Sequence, residues 1–109
     1  MLIKNTVLRA MAMVLAAAPL AHAADYTITL QNQQFTPANL EVPAGEKVAI
    51  TVKNADSRAA EFESYDLNRE KIISAGGQIK IFVGPLDAGT YRYFDEFNAD
   101  KAKGTITAK

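Results

Sequence analysis

The chain has 109 residues, 12 Lys and Arg against 12 Asp and Glu, one His and no Cys. That balance supplies no clustered basic surface for nucleic acid or for an anionic membrane. Without Cys there are no disulfides, and stability must come from a packed core.

The amino terminus reads as an export signal. Lys4 and Arg9 precede the apolar run Ala10 to Leu20 and the small-residue pattern Ala21-His22-Ala23, which predicts signal-peptide cleavage before Ala24. The run is broken by Pro19 and is shorter than the ~20 residues that cross a bilayer. Residues 1–23 are therefore read as a cleaved signal peptide. Residues 24–109 are expected to form one periplasmic domain, with no membrane insertion after cleavage. Cleavage would leave ten basic against twelve acidic residues, and would remove Met1, Met11, Met13 and His22. Residues 24–109 contain no His, Cys or Met.

Alternating apolar and polar residues then predict strands. Tyr26, Ile28 and Leu30 share one face, and Leu40 with Val42 forms a short strand. Val48, Ile50 and Val52 alternate with polar residues, and Glu61 to Asp66 is read as a strand. Ile79, Ile81 and Val83 follow Gly76-Gly77, Tyr91 and Tyr93 face away from Arg92, and Thr105 to Thr107 closes the series. Turns are signalled at Thr36-Pro37, Pro43-Ala44-Gly45, Asn54 to Ser57, Gly84-Pro85 and Asp87-Ala88-Gly89. Strands and turns at this spacing predict an all-β Greek-key sandwich. Large side chains must fill it, and Phe35, Tyr91, Tyr93 and Phe94 are assigned to the core.

The order Phe35-Thr36-Pro37, Val42-Pro43-Ala44-Gly45, Asn54, Gly89 to Phe94 and Gly104-Thr105-Ile106 resembles the cupredoxin family. Ala60 to Leu67 and Phe94-Asp95-Glu96-Phe97 are most similar to the cupredoxin-like domains of bacterial iron-uptake systems of the EfeO type. The resemblance implies a cupredoxin fold with copper ligands in the loops Ala55 to Ala60 and Asp95 to Lys103. Asp95 then stands where the family has Cys, Asn98 where it has His, and Ala102 near its Met. The first His falls at Ala60 or Glu61. A blue-copper centre needs imidazoles and a thiolate, so none is expected. The iron-uptake resemblance also implies partners, a periplasmic iron-binding protein and an inner-membrane iron permease. It carries one of its proposed metal carboxylates over to Glu61.

If those two loops meet, Glu61, Glu63, Asp95, Glu96 and Asp100 converge as candidate metal ligands. Oxygen-only sites suit hard cations such as ferric iron, manganese, calcium or magnesium. Crowded carboxylates repel one another, and at least one should have a raised pKa. A simpler reading, which the interspersed basic residues favour, leaves these acids solvated or paired with Arg58, Arg69, Arg92, Lys101 and Lys103. If Phe62 faces the core, strand alternation turns Glu61 and Glu63 to solvent.

Three functions fit the residues. The first is an accessory protein of iron uptake that binds or passes an iron or copper ion. The second is a metal-free module that docks a partner through Phe62, Tyr65, Phe94 and Phe97, with Phe97 the most exposed. The third is a copper-dependent ferroxidase, which the ligand inventory disfavours. Nucleophilic triads of the familiar types need a His or another positioned base, and residues 24–109 have no His or Cys for the purpose; no phosphate-binding glycine loop is present.

Overall fold

The computed structural model describes residues 24–109; the signal-peptide reading concerns residues outside that range. Nine strands follow in order: β1 Ala24–Gln31, β2 Gln34–Thr36, β3 Asn39–Val42, β4 Val48–Asn54, β5 Ala60–Ser64, β6 Arg69–Ile73, β7 Gln78–Val83, β8 Gly89–Asp95 and β9 Lys103–Ala108. A single 3-10 turn, Glu96–Asn98, lies between β8 and β9. One sheet has the order β2-β1-β4-β7 and the other β3-β9-β8-β5-β6. The pairs β1/β4 and β3/β9 are parallel and the rest antiparallel. The all-β sandwich is as the alternation predicts.

The apolar stripes meet between the sheets. Ile28 and Leu30 of β1, Val48, Ile50 and Val52 of β4, and Ile81 and Val83 of β7 face Leu40, Phe62, Tyr93 and Ile106 of the second sheet within one core. Tyr93 is its centre, stacked on Phe62 at 5.1 Å and meeting Phe35 edge-on at 4.9 Å. Its cross-strand partner is Gly104. A Cβ there would collide with the Tyr93 phenol ring and the Ala38 carbonyl, so glycine is required for Tyr93 to lie flat.

Asn54 organises the end of the sandwich near the site. Its buried Nδ2 donates to the carbonyls of Arg58, Ile73 and Ser74, and its Oδ1 accepts from Asp56 N. Asp56 in turn accepts from Asn32 N and Gln33 N, in a turn where both residues have positive φ. The predicted turn at Asn54 to Ser57 therefore also locks two neighbouring connections.

Three expectations need correction. The strand expected over Glu61 to Asp66 stops at Ser64, because Tyr65 to Asn68 form a turn with Asn68 in the left-handed region. Phe94 is not a core residue: Tyr93 points inward, so its neighbour points outward, where it packs on Tyr65 at 5.6 Å. Phe62 is fully in the core and belongs to no surface patch. Strands β2 and β6 were not anticipated.

Candidate metal centre

Phe62 fills the core, so alternation along β5 puts Glu61 and Glu63 together on the outer face of the five-stranded sheet. Register then selects their neighbours. Glu63 lies opposite Glu70 of β6 on one side and Phe94 of β8 on the other, and Glu61 lies opposite Ile72. One carboxylate oxygen from each of Glu61, Glu63 and Glu70 falls within 4.8 Å of the other two.

The outer face is not open at this point. Glu63 is only 7 % exposed, flanked by Glu70 and Phe94 on the neighbouring strands, and the 3-10 turn packs against the same strand β5. The expectation that both glutamates reach solvent once Phe62 turns inward holds only in part, for Glu61 is half-buried.

Burial pushes the Glu63 carboxyl from 4.5 up to about 7, aided by a hydrogen bond to Glu70, the charge of Glu70, and the charges of Glu96 and Glu61. A carboxyl–carboxyl hydrogen bond needs a proton held between the two groups. Glu61 is raised by partial burial first, then by Glu70, Glu96 and Asp95. The Tyr65 phenol is raised chiefly by Glu96.

No cation of the protein relieves this repulsion among the described residues. The ion pairs are Arg92 with Asp66 and Lys109 with Glu41. Arg69, one residue from Glu70, spends its guanidinium on the carbonyls of Phe82, Leu67 and Asn68.

The five acids expected to converge do not all do so. Glu61 and Glu63 are brought together. Asp95, 5 % exposed, is occupied otherwise: its Oδ1 accepts from Glu61 N at 2.9 Å and from Phe97 N at 3.0 Å. It caps the 3-10 turn and fastens it to β5, which positions the cluster without contributing an oxygen to it. Glu96 is exposed in that turn, near enough for its charge to act on Glu61, Glu63 and Tyr65. Asp100 is exposed, with no hydrogen bond or ion pair to the cluster. Glu70 takes the third place, and only the β5–β6 register reveals it.

The residues at the family's copper positions do not suit copper. Ala60 and Ala102 are buried in the core, and Asp95 is committed to backbone N–H groups. Asn98 offers an amide whose buried Nδ2 meets no acceptor. With no imidazole, thiolate or thioether in residues 24–109, the donor set cannot form a blue-copper centre. Among the described residues, the donors that converge are the hard carboxylate oxygens of Glu61, Glu63 and Glu70.

Around the cluster, Ile72 and Phe97 stand out as exposed apolar side chains, Phe97 at 56 %. Phe97 is exposed as expected. The aromatic face that was to include Phe62 and Phe94 is reduced to Phe97, Tyr65 and the half-buried Phe94.

Comparison with known proteins places this geometry in context. The family model described as a cupredoxin-like domain matches residues 5–108. An uncharacterized protein of Rickettsia prowazekii (strain Madrid E) is 42 % identical over 79 residues. That match covers 72 % of this chain and 63 % of the relative, so the chain spans less than two thirds of the relative's length. Among solved structures, the Cu(I)-bound metal-binding domain of the Cu(I)-exporting P-type ATPase CopA of Streptococcus pneumoniae D39 aligns with a TM-score of 0.71 at 18 % identity. It covers 84 % of this chain and 92 % of that one. Auracyanin A, a blue copper protein of Chloroflexus aurantiacus, aligns at 0.69 and 14 % identity, covering 81 % and 100 %. A purple cupredoxin of Nitrosopumilus maritimus aligns at 0.62 and 22 % identity, covering 76 % and 98 %. At these identities the structures establish the shared sandwich.

Proposed function

The chain belongs to the cupredoxin-like family, and from that premise we propose that it is a periplasmic accessory protein of a bacterial iron-uptake system. In this reading it holds a hard cation through Glu61, Glu63 and Glu70. One observation carries the binding part: Glu63 is a buried carboxylate whose near neighbours are other carboxylates, with no ion pair to offset them among the described residues.

A buried charge must be paired, protonated or bound to metal. The sequence supplies the proton-binding alternative at low pH, and a cation supplies the other. The three carboxylates are hard oxygen donors and offer no softness for cuprous copper. Ferric iron or manganese(II) with water completing the coordination fits this donor set. The iron-uptake assignment, with an iron-binding protein and an inner-membrane permease as partners, rests on the similarity of Ala60 to Leu67 and Phe94 to Phe97 to domains of that system.

The metal-free docking reading is favoured by a separate observation, the exposed Ile72 and Phe97 flanking the acids. Equilibrium dialysis against manganese(II) and against ferric citrate separates the two. The carrier reading expects about one ion per chain, with binding weakened at least ~tenfold by Glu63→Gln and by Glu61→Ala. Absence of binding by the wild-type protein, together with partner capture lost in Phe97→Ala, would establish docking instead.

A further inference from the structure

A second concavity lies on the other side of the same sheet face. Register pairs Phe94 with Lys103 and Arg92 with Thr105 across β8 and β9, so these four side chains share the outer face and form a floor. The β5–β6 turn raises Tyr65 and Asp66 as one wall, and Ala99, just after the 3-10 turn, forms the other. The open groove measures about 630 Å³, within the ~300–1,000 Å³ typical of small-molecule sites.

Its first wall is held in place by the protein's own bonds. Asp66 accepts from Arg92 N at 2.8 Å, Nε at 3.0 Å and Nη2 at 3.3 Å. Ser64 Oγ donates to the Arg92 carbonyl at 2.7 Å and accepts from Leu67 N at 3.0 Å. The turn that carries Tyr65 is therefore fixed to the groove floor before any ligand arrives.

The charges in the groove are unequal. Asp66, the only acid lining it among the described residues, is neutralised by Arg92. That leaves Lys103, which has no ion-pair partner among the described residues, and the Arg92 Nη1 group, which makes no hydrogen bond there. Beside these donors stand the Tyr65 ring, 74 % exposed, and the Phe94 ring it meets at 63°. An exposed aromatic beside one unpaired cation, Lys103, and the unbonded Nη1 of the paired Arg92 matches a ligand that is flat and apolar at one end and anionic at the other.

We propose that this groove binds a small aromatic carboxylate, its ring against Tyr65 and Phe94 and its carboxylate between Lys103 and Arg92. Phe94 faces Glu63 across β5 and Lys103 across β9, so the aromatic pair divides an acidic half of the sheet face from a basic half. The groove thus adjoins the cation cluster, with Tyr65 between the two, but shares no carboxylate with it, and the proposal stands whether or not that cluster holds metal.

The test is a titration of the ¹⁵N-labelled protein with 2-naphthoate, and with 2-naphthylmethanol as the neutral counterpart, followed by amide chemical shifts. The proposal expects saturable one-to-one binding with shifts centred on Tyr65, Phe94, Ala99, Lys103 and Thr105. Lys103→Glu and loss of the probe's charge should each weaken binding at least ~tenfold, and Tyr65→Ala by ~threefold or more. Both substituted side chains are exposed, so folding is preserved, and the unliganded spectrum of each variant verifies it. Shifts that do not saturate, that centre elsewhere, or that are unaffected by Lys103→Glu would overturn the proposal.

Discussion

Asp95 and Glu63 are carboxylates on neighbouring strands, 5 % and 7 % exposed, and they are opposite solutions to one physical problem. Asp95 is met by two backbone N–H groups, so its charge is compensated and it knits the 3-10 turn to β5. Glu63 is met by Glu70 and Glu61, so burial and repulsion drive it toward its protonated form. Burial alone does not mark a ligand. What separates a structural acid from a candidate metal-binding one is which groups face it.

The largest effect that would sharpen this contrast is at Asp95. Asp95→Ala leaves the Glu61 and Phe97 N–H groups without their acceptor and should cost about 2 kcal/mol in chemical denaturation. Asp95→Asn keeps an acceptor oxygen and should cost less than half of that. At Glu63 the sign reverses. Glu63→Gln removes a disfavoured charge while keeping the shape, and at pH 8 without added cation it should melt a few degrees higher than wild type.

A pH series sharpens the point. The Glu63 carboxyl holds its proton more tightly in the folded protein, about 7, than at its ordinary 4.5. Its contribution to stability is therefore fully present below about 4.5 and is lost as the pH rises through about 7. Wild-type stability without cation should fall across that window relative to Glu63→Gln, as read by thermal melts at pH 4, 6 and 8. Saturating manganese(II) at pH 8 should restore it, since a ligand that binds only the folded state stabilises that state.

Smaller effects follow from the cluster's edges. Glu70→Gln removes the nearest charge and should lower the Glu63 midpoint, visible by NMR titration, with burial keeping it above the ordinary value. Asp100→Asn should change neither stability nor cation affinity by more than experimental error. A clear loss of cation binding there would mean that the 3-10 loop, not the β5–β6 face, holds the ion.

The sandwich was legible because its inward positions alternate without interruption in β1, β4, β7 and β8. The site was half legible. Glu61 and Glu63 followed from their spacing around Phe62, but Glu70 did not, because Arg69-Glu70-Lys71 carries no apolar alternation. β6 is an edge strand with a charged exterior, and its strand character comes from pairing with β5. Asp95 was visible as an acid near the right place, but its role depends on two backbone N–H groups brought in by the fold. Phe94 was misplaced by one position in a run of aromatics, where only the direction of Tyr93 decides which ring is buried.

The central claim is that Glu63 is an uncompensated buried carboxylate awaiting a cation. The most direct measurement is a ¹³C NMR titration of the glutamate side-chain carboxyls, with assignment of Glu63 by Glu63→Gln, without cation and then with a diamagnetic trivalent ion such as gallium in place of ferric iron. The account predicts a midpoint near 7 without cation and a displacement well below 4.5 with it. A midpoint near 4.5 in the free protein, or one that the cation leaves unmoved, would contradict it.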